Sequence, residues 1–124
     1  MPTRELLGRI FEVFRSEILE TDRKLVIRLV LTEGGRFPKL AAFYHREVVA
    51  KGLALVRGVV VRGIARGEVA ASELERFPHL VFAPLLMAVL WDGLFASFEP
   101  MDVKGLLAAH RDMLTGGKPR RSRS

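Results

Sequence analysis

Apolar positions recur along nearly the whole chain at intervals of three and four residues, the spacing of one helix face, and almost nowhere alternate as in a strand. Residues 3–20 predict a first helix with Leu6, Leu7, Ile10, Phe14 and Ile18 on one side. Thr21 and Asp22 break it and can cap a second helix over 22–36. The stripe Val26, Leu29, Val30, Glu33 and Phe37 is expected to be buried, with Lys24, Arg28, Thr32 and Arg36 at the wet edge. Pro38 suits the first turn of a helix, so it stops that element and opens a third, about 39–66, ending at Gly67. Its apolar arc takes in Ala41, Val48, Val49, Val56, Val59 and Val60, and Glu47 pairs favourably with Lys51 one turn on.

Ser72-Glu73-Leu74-Glu75 reads as a capping box that opens a short helix ending by Pro78. An apolar helix over 79–98 follows, with a bend expected where Pro84 removes a backbone donor. Asp102 then caps a last helix, 102–115, with Val103, Leu106, Leu107, His110 and Leu114 inside, and Gly116-Gly117 ends it. The pattern predicts one all-α domain of five to six helices over residues 1–115, followed by a tail, 116–124.

Composition sharpens this picture in three places. The 124 residues suffice for one domain, and the absence of cysteine excludes disulfides, thiolate catalysis and cysteine-bound zinc. Hydrophobic residues make up 49% of the chain beside 11 glycines, an apolar surplus that points to a partner or a ligand. The net charge of +6 looks like a nucleic-acid signal, but Lys118, Arg120, Arg121 and Arg123 supply four of those charges. The body keeps only +2, so the basic end reads as a disordered tail.

Residues 1–10 lack the apolar block of a signal peptide, and a cytoplasmic location is expected. Leu80 to Phe98 holds Asp92 as its sole charge; in a membrane span that carboxylate would cost ~2.5–3.5 kcal/mol, so a buried helix is the better reading.

The chemical inventory is nearly empty. There is no Gly-x-Ser-x-Gly elbow and no His-Glu-x-x-His zinc helix, and His45, His79 and His110 fall on three elements without ligand spacing. No catalytic site, metal or cofactor is expected. Polar residues on apolar faces say more. Glu33 and His45 flank Pro38 and come to one level if their helices fold back. Either they satisfy each other or a nearby arginine in the core, or they form the polar end of a ligand pocket. Gly52, Gly58 and Gly63 on the third helix leave room for another helix or a ligand to approach.

Helix 79–98 has two apolar faces. Leu80, Pro84, Met87, Trp91, Phe95 and Phe98 form a bulky one; Val81, Leu85, Ala88, Val89 and Asp92 form a flatter one. With so few helices, such an element is expected to be shared with a second copy. The expected homodimer seam comprises Val81, Leu85, Ala88, Val89 and Asp92 with Val103, Leu106, Leu107 and His110, Asp92 and His110 being its polar specifiers. The expected pocket lies between helices 22–36, 39–66 and 79–98, lined by Leu29, Phe37, Val48, Val49, Met87 and Trp91, with Glu33 and His45 supplying polarity.

The run from Arg28 through Glu33, Gly34, Gly35, Arg36, Phe37, Pro38, Lys39 and Leu40 to Tyr44 resembles a segment of TetR-type transcriptional regulators, in their C-terminal ligand-binding and dimerisation domain. Phe77-Pro78-His79 onward through Trp91 to Phe95, and Asp102 to Leu114, are similar to its later helices. The resemblance implies a TetR-like helical fold whose last two long helices form a dimeric four-helix bundle. It implies a small, largely apolar effector that biases two states of a repressor. Members carry a helix-turn-helix ahead of this domain, whereas Met1 to Thr21 read as one helix. The chain is therefore expected to be an effector-domain fragment that reaches DNA only through a missing N-terminal domain. Two other readings stay open: a stand-alone dimerisation module without ligand, and a small acid–base enzyme using Glu33 and His45.

Overall fold

The computed structural model of the chain describes residues 1–69 and 73–116. The capping-box residue Ser72, Gly117 and the basic tail lie outside the described residues. Helix α1 (Thr3–Phe14) runs on into a π-helical turn, Arg15–Leu19, and α2 spans Arg23–Glu33. Helix α3 (Pro38–Tyr44) passes through a second π-helical turn, His45–Val49, into α4 (Ala50–Ala65) as one rod. Then come α5 (Glu73–Arg76), α6 (His79–Leu94) and α7 (Val103–Leu114). Counting α3 and α4 together, the described residues form six helices and no strand.

The helix ends have local causes. Pro38 sits in the first turn of α3, where its missing N–H is no loss. Thr21 Oγ1 accepts from the Arg23 amide at 3.2 Å, whereas Asp22 makes no capping bond. Gly67, at φ +70°, closes α4, and the Asp102 carboxylate accepts from the Gly105 amide at 3.0 Å to open α7. The apolar helix stops at Leu94, four residues short of the expected end.

The core forms around α1, which packs on α4 and α7 and buries Leu7, Phe11, Phe14 and, through its π turn, Leu19. Val56, Val59 and Val60 of α4, Val81, Leu85, Ala88 and Val89 of α6, and Leu107 of α7 complete it. The start of α1 is tied to the end of α4. Thr3 donates to one Glu68 oxygen from its amide at 3.0 Å and from its hydroxyl at 2.7 Å. The contact needs Gly63, where a Cβ would lie 2.6 Å from the Val69 methyl and 3.0 Å from Thr3.

Helix α2 corrects the expected burial. Ile27 is its only buried residue. Val26, Leu29 and Phe37 are 50%, 49% and 51% exposed, so three of the five expected inner residues face outward, while Val30 and Glu33 are partly buried. Two residues of the expected wet edge turn inward instead, Lys24 pairing with Asp92 at 3.1 Å and Arg28 lying over Gly93, while Thr32 and Arg36 stay exposed. Residues 25–27 and 29–31 make α2 apolar nearly all round, so periodicity allows either orientation. The carboxylate of Asp92 and the missing side chain at Gly93 select the face that carries the cations.

Candidate functional site

One cavity of about 280 Å³ opens beneath α2. Phe14 and Ile18 come from α1 and its π turn; Ile27, Val30 and Leu31 come from α2. Tyr44 ends α3, Val48 and Val49 belong to the second π turn, Gly52 and Leu53 start α4, and His79, Phe82 and Leu86 belong to α6. Both π turns thus face the same space. A π turn widens the helix by accepting one residue more per turn, and such bulges concentrate at functional sites. A Cβ at Gly52 would lie 3.4 Å from the Phe82 ring, an ordinary van der Waals contact. Gly58 faces open space, so a close approach accounts for Gly63 but for neither Gly52 nor Gly58.

The wall is almost wholly carbon. Tyr44 and His79 are the lining residues with polar side-chain atoms, and those atoms add almost nothing to its surface. Burial pushes the Tyr44 phenol above its ordinary value of 10.0, with no hydrogen bond offsetting it. No lining residue carries a carboxylate, guanidinium or ammonium group. A second hollow, about 230 Å³ between α1 and α7, is different: Arg15, Lys104 and Arg111 line it with Glu12. Arg15 is already bound to Glu12 at 3.0 Å, and Arg111 to Asp112 at 3.2 Å, so most of its cations are satisfied within the chain.

Of the eight residues expected to line a pocket, Val48 and Val49 do so in the cavity beneath α2. Leu29 and Phe37 face outward, and Met87 lies exposed on α6. Glu33 is held by Arg36 at 3.2 Å, and His45 is exposed, so the anticipated polar end is not assembled in the cavity. Trp91 is half-buried and donates its indole N–H to the Glu99 carbonyl at 2.6 Å, away from the cavity wall. The sequence reading missed Phe14, Ile18, Tyr44, Leu53 and Phe82. A signal was present in part: Phe14 and Ile18 lie on the apolar side of the first helix that the periodicity marks.

The expected dimer residues also move. Val81, Leu85, Ala88, Val89, Leu107 and His110 are buried in the subunit's own core, and Val103 and Leu106 are partly buried against it. Asp92 is engaged by Lys24. His110 stacks on Phe11 with ring centroids 5.3 Å apart and donates from Nε2 to the Val81 carbonyl at 2.7 Å. The small-residue face of α6 packs inward because small side chains let helices approach closely. Most of the bulkier face is left outside: Leu80, Met87 and Phe95 are 52%, 51% and 49% exposed, while Pro84 and Trp91 are partly buried.

Among the described residues no group of three or more His, Asp or Glu is placed to hold a metal ion, and no helix is long and apolar enough to cross a membrane. The architecture is that of a small all-helical domain with an apolar cavity open on one side. Residues 3–116 match the family described as "Tetracyclin repressor-like, C-terminal domain", and the chain belongs to that family. No curated protein and no solved structure matches it. The family is not one of enzymes, so the acid–base reading of Glu33 and His45 falls; its members typically dimerise and bind effectors.

Proposed function

We propose that this domain is the effector-binding and dimerisation module of a cytoplasmic TetR-type regulator. A small apolar molecule in the cavity beneath α2 would control DNA binding by the regulator's helix-turn-helix. The supporting observation is the cavity itself: five helical elements and two π turns converge on a carbon-lined space within a domain of this family. A ligand there touches α1, α2, α3, α4 and α6 together, so its differential affinity for two arrangements of these helices sets the bias. The homodimer would form through the outward faces of α6 and α7. Leu80, Ala83, Met87 and Leu94 are exposed at intervals of three, four and seven residues, the seam of a helix bundle. Ala109 and Met113 are exposed on α7.

The test is a thermal-shift screen of apolar compounds on the whole chain. Binding raises the melting temperature by mass action. At least one compound should do so, and Val49→Phe, which narrows the space, should reduce the shift. A broad apolar panel without any shift would contradict the effector role.

A further inference from the structure

Resting on that reading, we propose that the cavity selects its ligand by hydrocarbon volume alone, taking a compact group of roughly ten to twelve carbons and leaving any polar group outside in water. Two observations carry this. The first is the chemistry of the wall. Thirteen residues line the space, none is an aspartate, glutamate, lysine or arginine, and the polar atoms of Tyr44 and His79 are turned off its surface. A hydroxyl, amide or carboxylate carried inside would leave water and find no partner. The usual division of labour, in which a few placed polar groups fix a ligand inside an apolar pocket, is missing here.

The second observation is size. A dry apolar cavity of about 150 Å³ holds benzene, with six carbons. The space beneath α2 measures about 280 Å³, a little under twice that. Two fused rings or a branched hydrocarbon of similar bulk match it. Phe14, Tyr44 and Phe82 bring three aromatic rings to the wall. Flat hydrocarbons suit such walls. The cavity opens on one side, so a single polar substituent on one edge can remain hydrated.

Four probes test this on the whole chain, each measured by displacement of Nile red and by thermal shift: benzene, naphthalene, naphthoate, and a dihydroxynaphthalene with hydroxyls on opposite rings. Naphthalene should bind about tenfold or more tighter than benzene, since four further carbons are buried. Naphthoate should stay within about threefold of naphthalene because its carboxylate faces water. The dihydroxy compound must carry one hydroxyl inside and should lose about tenfold or more. Gly52→Val, and the milder Val49→Phe in case the first fails to fold, should weaken naphthalene while leaving benzene less affected. A dihydroxynaphthalene that binds as tightly as naphthalene would overturn the inference while leaving an effector site standing. Failure of all four to bind would overturn the effector role along with it.

Discussion

The ammonium of Lys24 lies 3.1 Å from the carboxylate of Asp92, joining the first turn of α2 to the last turn of α6. One residue further along α6, Gly93 gives Arg28 its place: a Cβ there would fall 1.9 Å from the guanidinium. Helix α2 buries only Ile27, so these two contacts hold much of the cover over the cavity. Asp92→Asn should therefore loosen α2 at a cost of up to about 1 kcal/mol, because the pair is partly exposed, and the loss should shrink in high salt. Denaturant melts at two ionic strengths check this. Light scattering should show an unchanged oligomeric state; dissociation of the variant would return Asp92 to a subunit seam.

The two faces of α6 make opposite predictions. Leu85→Glu places a carboxylate at a position that is 1% exposed and should unfold the chain. Ala83→Glu and Met87→Glu place it on the outer face and should yield folded, helical monomers. Circular dichroism with light scattering separates the outcomes. Ala83→Glu and Met87→Glu dimers as stable as the parent would rule out this face.

These cases show how far the sequence could be read. The 3.6-residue period located every long helix, and Leu7, Phe14, Val56, Val59 and Val60 could be assigned to the core because their helices have one clearly apolar side. Orientation failed where that contrast vanished. Helix α6 is apolar nearly all round, so its pattern could not say which face turns inward. On α2 the deciding groups, Asp92 and Gly93, lie more than sixty positions along the chain. The π turns carry no distinctive residues in Arg15–Leu19 or His45–Val49, and the cavity they border arises between elements, where no single-helix periodicity reports it.

His110 makes stability depend on pH. Burial lowers its pKa below the ordinary 6.5 and outweighs the opposing bond to the Val81 carbonyl. The unfolded chain therefore takes up this proton more readily. The neutral ring's contribution is complete above pH 6.5 and declines as pH falls through that value toward the lowered folded pKa. Denaturant melts between neutral pH and about pH 5 should show this decline. His110→Gln should start less stable and show a shallower slope. A parent chain that gains stability over that range would contradict the assignment.

Deleting Arg46, an exposed residue of the second π turn, should restore an α-helical register between α3 and α4. The chain should remain helical, since the flanking helices keep their faces. Val48 and Val49 should lose their places on the cavity wall, and ligand binding should fall about tenfold or more as their contacts are lost. Calorimetry on the deletion variant checks this; undiminished binding would show that the bulge does not shape the site.

The most direct measurement is a methyl NMR titration of the whole chain with naphthalene. The account predicts shifts concentrated on the methyl groups of Ile18, Ile27, Val30, Val48, Val49, Leu53 and Leu86, with Leu29 and Met87 unmoved. Shifts confined to Leu29 and Met87, or no saturable shift at all, would contradict a ligand site beneath α2.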